Sequence, residues 1–225
     1  YDAIISPTFY TNRGAQLNVS SRYMTQRSTG RFSLSFLPHD YEFALMKAEK
    51  LDSQDRDPIE WPFLSRLENA SDFRKQFSLQ DTTKFNQNIT ATATINYVSD
   101  DYYLQDFGSS PIDQNSDQLL NEADFHYADD HWDFLSRLQY HQTLHPLNSS
   151  AEDQYSRLPQ LTLRGDWLSG QNHPHTWLNT EFIYFDHRKN FFTDESIVTG
   201  TRLDVRPGVA LPFKTPYAFF TPSVD

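Results

Sequence analysis

Ile89-Thr90-Ala91-Thr92-Ala93-Thr94-Ile95-Asn96-Tyr97 alternates without a break between apolar and polar residues. Successive side chains of a strand point to opposite faces. This stretch therefore builds a greasy face of Ile89, Ala91, Ala93, Ile95 and Tyr97 and a wet face of Thr90, Thr92, Thr94 and Asn96. The same period of two runs outward on both sides. Ala15, Leu17, Val19 and Tyr23 alternate with Gln16, Asn18, Ser20 and Arg22. Phe32, Leu34 and Phe36 alternate with Arg31, Ser33 and Ser35, and Leu161, Leu163 and Trp167 with Gln160, Thr162, Arg164 and Asp166. Around Phe182 the contrast weakens. Leu178, Phe182 and Tyr184 oppose Asn179 and Glu181, but Trp177, Ile183 and Phe185 blur the pattern.

Turn-forming residues separate these runs: Thr11-Asn12-Arg13-Gly14, residues 26–30, Ala128-Asp129-Asp130-His131, Leu168-Ser169-Gly170 and 211–216. Counting runs against turns gives about 11 strands, joined mostly as up-and-down hairpins. Four longer connections interrupt them, at 38–72, 99–116, 145–157 and 188–196. The simplest organisation is a single domain over 1–225 with a long insertion near 39–71. Within that insertion, residues 41–51 carry Phe43, Leu45, Met46 and Ala48 among charges and read as a short helix. The chain starts and stops inside strand-like sequence, so a segment of a longer polypeptide is expected, and location cannot be read from targeting sequence.

Composition narrows the function. The 225 residues carry 19 Lys+Arg and 30 Asp+Glu, a net charge of −11, which disfavours a general nucleic-acid surface or docking on an anionic membrane face. With no cysteine, a disulfide scaffold, a thiolate nucleophile and a Cys-based metal site are excluded within the chain. The mean hydropathy is polar, yet 15% of residues are aromatic, which argues for a folded chain. No apolar run approaches the roughly 18 residues of a membrane-spanning helix, but a barrel strand needs only about 9–11 alternating ones.

Alternation alone suits both a soluble β-sandwich and a membrane barrel: the first buries its apolar face under a second sheet, the second turns it to lipid. Three features favour the barrel. The clearest greasy faces carry no charge; Phe9, Tyr10, Tyr97, Tyr102, Tyr103, Tyr127, Trp132, Trp167 and Trp177 crowd strand ends; and the hairpins outnumber those of a compact sandwich. In the barrel reading a lumen would be lined by Gln16, Asn18, Ser20, Arg22, Thr90, Thr92, Thr94, Asn96, Glu122, Asp124, His126, Gln139, His141, Gln160, Thr162 and Arg164. That wall suits water and sugar hydroxyls and offers nothing to an acyl chain. In the sandwich reading the same residues are a solvated face.

Several ordered motifs carry a resemblance. Tyr97-Val98-Ser99-Asp100-Asp101-Tyr102-Tyr103-Leu104-Gln105-Asp106-Phe107, Tyr155-Ser156-Arg157-Leu158-Pro159-Gln160-Leu161-Thr162 and Pro7-Thr8-Phe9-Tyr10-Thr11-Asn12-Arg13-Gly14 resemble stretches of the LPS-assembly (LptD) family. Thr180-Glu181-Phe182-Ile183-Tyr184-Phe185-Asp186 and Gly200-Thr201-Arg202-Leu203-Asp204 follow in order. Only residues from His39 to about Ser71 lack a recognised counterpart. The resemblance implies an all-β fold: a partial antiparallel up-and-down transmembrane β-barrel, cut from the first part of a larger barrel and starting near its second strand. It also implies transport of lipopolysaccharide to the outer leaflet of the outer membrane of a Gram-negative bacterium. The implied partners are outer-membrane lipid, a plug lipoprotein (LptE) and a periplasmic bridge protein (LptA). Pro7 matches a proline of the family's lateral gate, where a residue unable to donate a ladder hydrogen bond weakens pairing; an ordinary edge-strand proline is the alternative.

The remaining constellations point to no catalysis, cofactor or metal. Asp100-Asp101 and Asp129-Asp130 are sequence neighbours, whereas glycosidase carboxylates face each other about 5–9.5 Å apart. Asp129-Asp130 reads as a turn. His126, His131, His141, His173 and His175 lack Cys partners or a metal-binding helix motif and read as solvated. Two rivals share the alternation: a soluble β-rich carbohydrate-binding or glycosidase-like domain, and a passive porin-like barrel.

Overall fold

The computed structural model describes residues 1–52, 60–108, 114–147, 149–168 and 173–224. The turn expected at Leu168-Ser169-Gly170 lies, beyond Leu168, outside the described residues, as does part of the 39–71 insertion. Ten long strands follow the alternating runs: β1 (Asp2–Tyr10), β2 (Gly14–Met24), β3 (Ser28–Leu37), β4 (Arg74–Lys84), β5 (Ile89–Val98), β6 (Gln118–Ala128), β7 (Trp132–Thr143), β8 (Ser156–Leu168), β9 (His175–Asp186) and β10 (Gly200–Ala210). Three two-residue strands follow, β11 (Phe213–Lys214), β12 (Phe219–Phe220) and β13 (Ser223–Val224). Strands pair in chain order from β1 to β10, each antiparallel to the next, and β13 adds to β10 as an eleventh member. β11 and β12 form a separate small hairpin. The sheet is open: β1 lies at one edge and β13 at the other.

The turns after β2, β4 and β6 (25–27, 85–88 and 129–131) lie at one end of the sheet. The long connections (38–73, 99–117, 144–155 and 187–199) lie at the other, together with the tight β1–β2 turn. Gly14 makes that turn possible: its φ of +120° is left-handed, and an added Cβ would meet the His39 carbonyl at 2.9 Å. The Tyr41 amide donates to Arg13 O at 3.2 Å in the same place.

Register keeps each strand's alternation in phase with its neighbours. Leu17 stands opposite Pro7 and Phe36, Leu34 opposite Phe77, Leu79 opposite Ile95, and Leu163 opposite Phe134 and Thr180. One strand needs a correction. In β8 the pairs Arg157↔Phe185 and Gln160↔Ile183 span three residues against two, a bulge at Leu158-Pro159. Proline has no ladder donor, and the extra residue returns Arg157 and Gln160 to the same face. Trp177 and Ile183, which blur the pattern in sequence, fall on the polar face, where Ile183 is buried.

Asp81 is a charge on the apolar face, between Gly30 and Ala93. Its carboxylate accepts from Tyr23 Oη at 2.5 Å and Thr83 Oγ1 at 2.7 Å. Tyr23 reaches it by crossing Gly30, where a Cβ would lie 2.4 Å from the phenol oxygen. The bare glycine thus lets an aromatic ring lie flat on the strand and deliver a donor.

Among the described residues three helices occupy the long-connection end: α1 (Tyr41–Asp52), α2 (Trp61–Asn69) and α3 (Tyr103–Phe107). The helix expected at 41–51 is α1, begun by Asp40, whose Oδ1 accepts from the Phe43 amide at 3.1 Å as an N-cap. α2 and α3 lie in stretches read as plain connections. Their apolar residues (Phe63, Leu64 and Leu67; Tyr103 and Leu104) are buried, so packing stabilises helices too short to be stable alone. Lys47 Nζ donates to the Glu68 and Ala70 carbonyls at 2.6 and 2.7 Å and ties α1 to the end of α2.

Arg74, at the start of β4 and wholly buried, joins this end together. Its Nε and Nη2 grip Asp100 at 2.9 and 2.8 Å, and its Nη1 reaches Asp40 at 2.9 Å and Asp106 at 2.5 Å. Phe43, Phe107 and Tyr103 surround the guanidinium, with ring centroids at 4.4, 4.9 and 5.5 Å. Arg13 makes a second bridge to Asp40 and Asp106 at 2.9 and 2.8 Å. Replacing Arg74 by Met in the full-length protein should cost about 3–5 kcal/mol, because buried Asp100 loses its guanidinium while Asp40 and Asp106 keep only Arg13. Limited proteolysis should then cut within 38–73 and 99–117 while the far-ultraviolet β signal persists; protection equal to wild type would refute the anchoring role.

Candidate functional site

The polar face of the sheet is the candidate site. Strand register puts all sixteen sequence-selected residues on it. Arg22 stands opposite Arg31, Asn18 opposite Ser35 and Ser20 opposite Ser33. Thr90, Thr92 and Thr94 stand opposite His126, Asp124 and Glu122, and Asn96 opposite Ser78. Glu122 pairs with Gln139, His141 with Leu120, Gln160 with Arg137, Thr162 with Leu135 and Arg164 with Asp133. Pro7 is separate from them: it sits in the edge strand β1, opposite Leu17 on the apolar face.

Cross-strand bonds knit this face. Arg137 donates to both oxygens of Asp124 at 2.8 and 2.7 Å and lies 3.4 Å from Glu122, which accepts from Gln139 at 2.7 Å. Gln160 donates to Glu181 at 2.9 Å, and Arg202 reaches the other oxygen of Glu181 at 2.5 Å. His126 and Asp133 meet at 2.9 Å. Asn18 donates to Thr8 Oγ1 at 3.2 Å, and Asn96 donates to the Leu120 carbonyl at 2.8 Å. These partners orient the polar groups and balance their charge. The resulting wall offers donors and acceptors of both signs, with hydroxyls and amides between the ion pairs.

One end of the wall is roofed. Gln16 is buried, accepting from Tyr10 Oη and donating to Tyr103 Oη, each at 3.2 Å, so α3 lies over the polar face. Burial pushes the Tyr103 phenol up to about 12, so it stays a neutral hydrogen-bonding group. Asp100-Asp101 has its explanation here: Asp100 holds Arg74, and Asp101 takes Arg66 of α2 at 2.7 Å. Burial raises the Asp101 carboxyl above the usual range, against the opposing pull of Arg66. The His145 ring stacks on Phe191 at 3.8 Å and meets Asp153 at 3.2 Å, tying the last two long connections to this roof. Asp129 is a turn residue as read: Oδ1 accepts from the His131 and Trp132 amides at 2.9 and 2.7 Å.

The sequence reading missed Gln76, Ser78, Gln80, Arg137 and Arg202, which also lie on this face with Glu181. Their signal was present. Arg74, Gln76, Ser78 and Gln80 alternate with Phe77 and Leu79 in the same period of two.

Among the described residues, the opposite face has no such roof. Ile95, Tyr97, Phe125, Leu138 and Tyr140 stay 39–49% exposed, and Leu203 and Val205 more than half. Trp132 and Trp167 pack edge to face at 4.8 Å near the short-turn end.

Comparisons with known proteins agree in direction. The family model "LptD: LPS transport system D" matches residues 72–225. Proteins named LPS-assembly protein LptD are similar over essentially the whole chain. That of Coxiella burnetii is 32% identical over 233 residues, covering 100% of this chain and 27% of its own length. That of Legionella pneumophila (strain Lens) is 32% identical over 236 residues, covering 100% and 26%. That of Nitrosococcus oceani is 31% identical over 224 residues, covering 99% and 26%. The chain thus spans about a quarter of the length of these curated relatives. With an open antiparallel sheet of in-phase amphipathic strands and a family match over more than half its residues, this chain belongs to the LptD family.

Proposed function

We propose that this chain is a wall segment of an outer-membrane β-barrel that carries lipopolysaccharide to the outer leaflet. Its apolar face meets hydrocarbon and its polar face lines a hydrated lumen. One observation carries the reading: α1 and α3 cover the polar face, as at Arg74 and Gln16, while large apolar side chains on the other face stay exposed. A soluble sandwich or a helix-covered sheet would bury the second set. Strands of 9–13 residues tilted as in barrels span about 25 Å of apolar band.

In this role the sixteen polar-face residues form the lining along which sugars slide. The activity involves positioning and passage, with no bond made or broken. The lipoprotein plug (LptE) and periplasmic bridge (LptA) implied by the family resemblance are the proposed protein partners of this barrel. Asp81 fits as a carboxylate near the short-turn end, satisfied by Tyr23 and Thr83 before it meets lipid.

Pro7 is proposed to loosen the β1 edge for lateral exit. Replacing it with Ala in the full-length protein supplies one more ladder donor, a gain of about 0.5–1.5 kcal/mol. The expected result is slower delivery of lipopolysaccharide to the cell surface with unchanged barrel assembly; an unchanged delivery rate would leave Pro7 an ordinary edge proline.

The facing assignment is tested by placing Arg at Leu17 or Leu163 and, separately, at Asn18 or Thr162. Near mid-bilayer an outward Arg costs about 2–4 kcal/mol, so the first pair should lower the amount of assembled protein in the outer membrane and the second should not. Ala93 is a poorer choice, since Arg there would find Asp81 directly across the ladder. Equal losses at both pairs would overturn the proposed orientation.

A further inference from the structure

The chain is acidic overall, yet the polar face of β2–β4 near the short turns is basic. Arg22, Arg31 and Lys84 lie on that face, and Arg27 sits in the adjoining turn, with its carbonyl accepting from the Lys84 amide at 2.7 Å. An open recess of about 740 Å³ lies here, with Arg22, Arg31, Gln80 and Thr92 in its lining and the acids Asp2 and Asp81 also bordering it. A second recess of about 360 Å³ shares Arg22, Arg31 and Gln80 and extends toward β1.

Arg22 and Arg31 are directly opposed in the β2–β3 ladder. Like charges so placed repel and lower stability unless something bridges them. Arg22 is answered by Asp2, with Nε at 3.1 Å and Nη2 at 2.5 Å from one carboxylate oxygen. Arg31 spends only Nε, on the neutral Gln80 Oε1 at 3.0 Å, and its Nη groups have no partner among the described residues. The neighbouring acids are committed elsewhere. Asp81 is on the other face with Tyr23 and Thr83, while Glu122 and Asp124, beside Thr94 and Thr92, share Arg137. The recess therefore offers two forked cations with threonine hydroxyls around them. That is the donor set of a phosphate monoester on a sugar: a dianion bridges two guanidinia, and hydroxyls meet the remaining oxygens.

We infer that the Arg22–Arg31 recess is a recognition site for a sugar phosphate of the transported glycolipid, beside the β1 edge. The inference rests on the transport reading above and names the chemistry it would recognise. Arg22 exchanges its bond with Asp2 for one to the phosphate, and Arg31 supplies its unused fork.

The test uses the full-length protein in detergent and three probes: the phosphorylated disaccharide headgroup without acyl chains, the same disaccharide with its phosphates removed, and inorganic phosphate. The Arg22→Gln/Arg31→Gln double variant should weaken the phosphorylated disaccharide about tenfold or more, the scale of about 1.4 kcal/mol. It should leave the dephosphorylated one unchanged. Asp2→Asn, by freeing Arg22, should tighten the phosphorylated probe severalfold, and Arg31→Lys, which keeps the charge but has no fork, should weaken it severalfold. These two single variants decide the matter if the double variant fails to assemble. Equal loss for both disaccharides, or none for either, overturns the site. Inorganic phosphate competing as strongly as the phosphorylated sugar overturns the glycolipid assignment in favour of a free-anion site. If the double variant matches wild type while cells still deliver lipopolysaccharide, the site falls and the transport reading stands. If the wild-type protein binds neither disaccharide and a photocrosslinker at Thr162 captures no lipopolysaccharide in cells, both fall.

Discussion

A hydrogen-bonded ladder leaves each strand side chain only two directions, and whatever happens to one strand's phase is passed to the next. Here ten long strands hold a common phase from β1 to β10. The bulge at Leu158-Pro159 is where that phase would have slipped: the extra residue keeps Arg157 and Gln160 together and leaves Leu161 and Leu163 on the apolar side. Because the phase survives, a simple alternation in each strand becomes two continuous surfaces of opposite chemistry. Every functional statement about the chain depends on this separation.

The buried charges at the long-connection end serve a different purpose from the ion pairs on the open wall. Arg74 and Arg13 face Asp40, Asp100 and Asp106, contributed by β4, the β1–β2 turn and two separate connections. Burying such a cluster is costly in itself, so its value lies in geometry more than in net stability. A planar guanidinium bound on several sides admits few arrangements, and it fixes α1 and α3 on the polar side of the sheet. An apolar contact of the same area would allow those helices to slide. On the open wall, Arg137, Glu122 and Asp124 or Glu181 and Arg202 are partly solvated pairs, which balance charge while leaving the surface hydrated.

Charge is also uneven along the strands. Acidic groups gather under the roof at one end, whereas Arg22, Arg27, Arg31 and Lys84 gather at the short turns of β2–β4. A net charge of −11 hides this pattern. A cargo with anionic sugars moving along such a wall would find a favourable place near the β1 edge and a less favourable one under the roof. The recess and the edge-strand Pro7 lie on opposite faces of neighbouring strands, so anion capture and edge loosening would act on the same few strands from two sides.

Much of this architecture is legible in single stretches of sequence, because strand alternation is a local property. Ile89 to Tyr97, Ala15 to Tyr23 and Phe32 to Phe36 each declare their two faces without reference to anything distant. The sixteen polar candidates follow from the same rule, and α1 shows in its mixture of apolar and charged residues. The short helices α2 and α3 did not show, since nine and five residues carry too few turns for a periodic signal and owe their form to burial. The purpose of Asp100 and Asp101 was equally hidden, because Arg74 and Arg66 lie 26 and 35 residues away along the chain. So too was the opposition of Arg22 to Arg31, which requires knowing the register across a turn. The sequence by itself determined which faces are wet and which are oily, since that depends only on neighbours two residues apart. Tertiary structure alone decided which charges meet, which face the helices cover and where the bulge falls, because those outcomes depend on contacts between distant segments that compete in three dimensions.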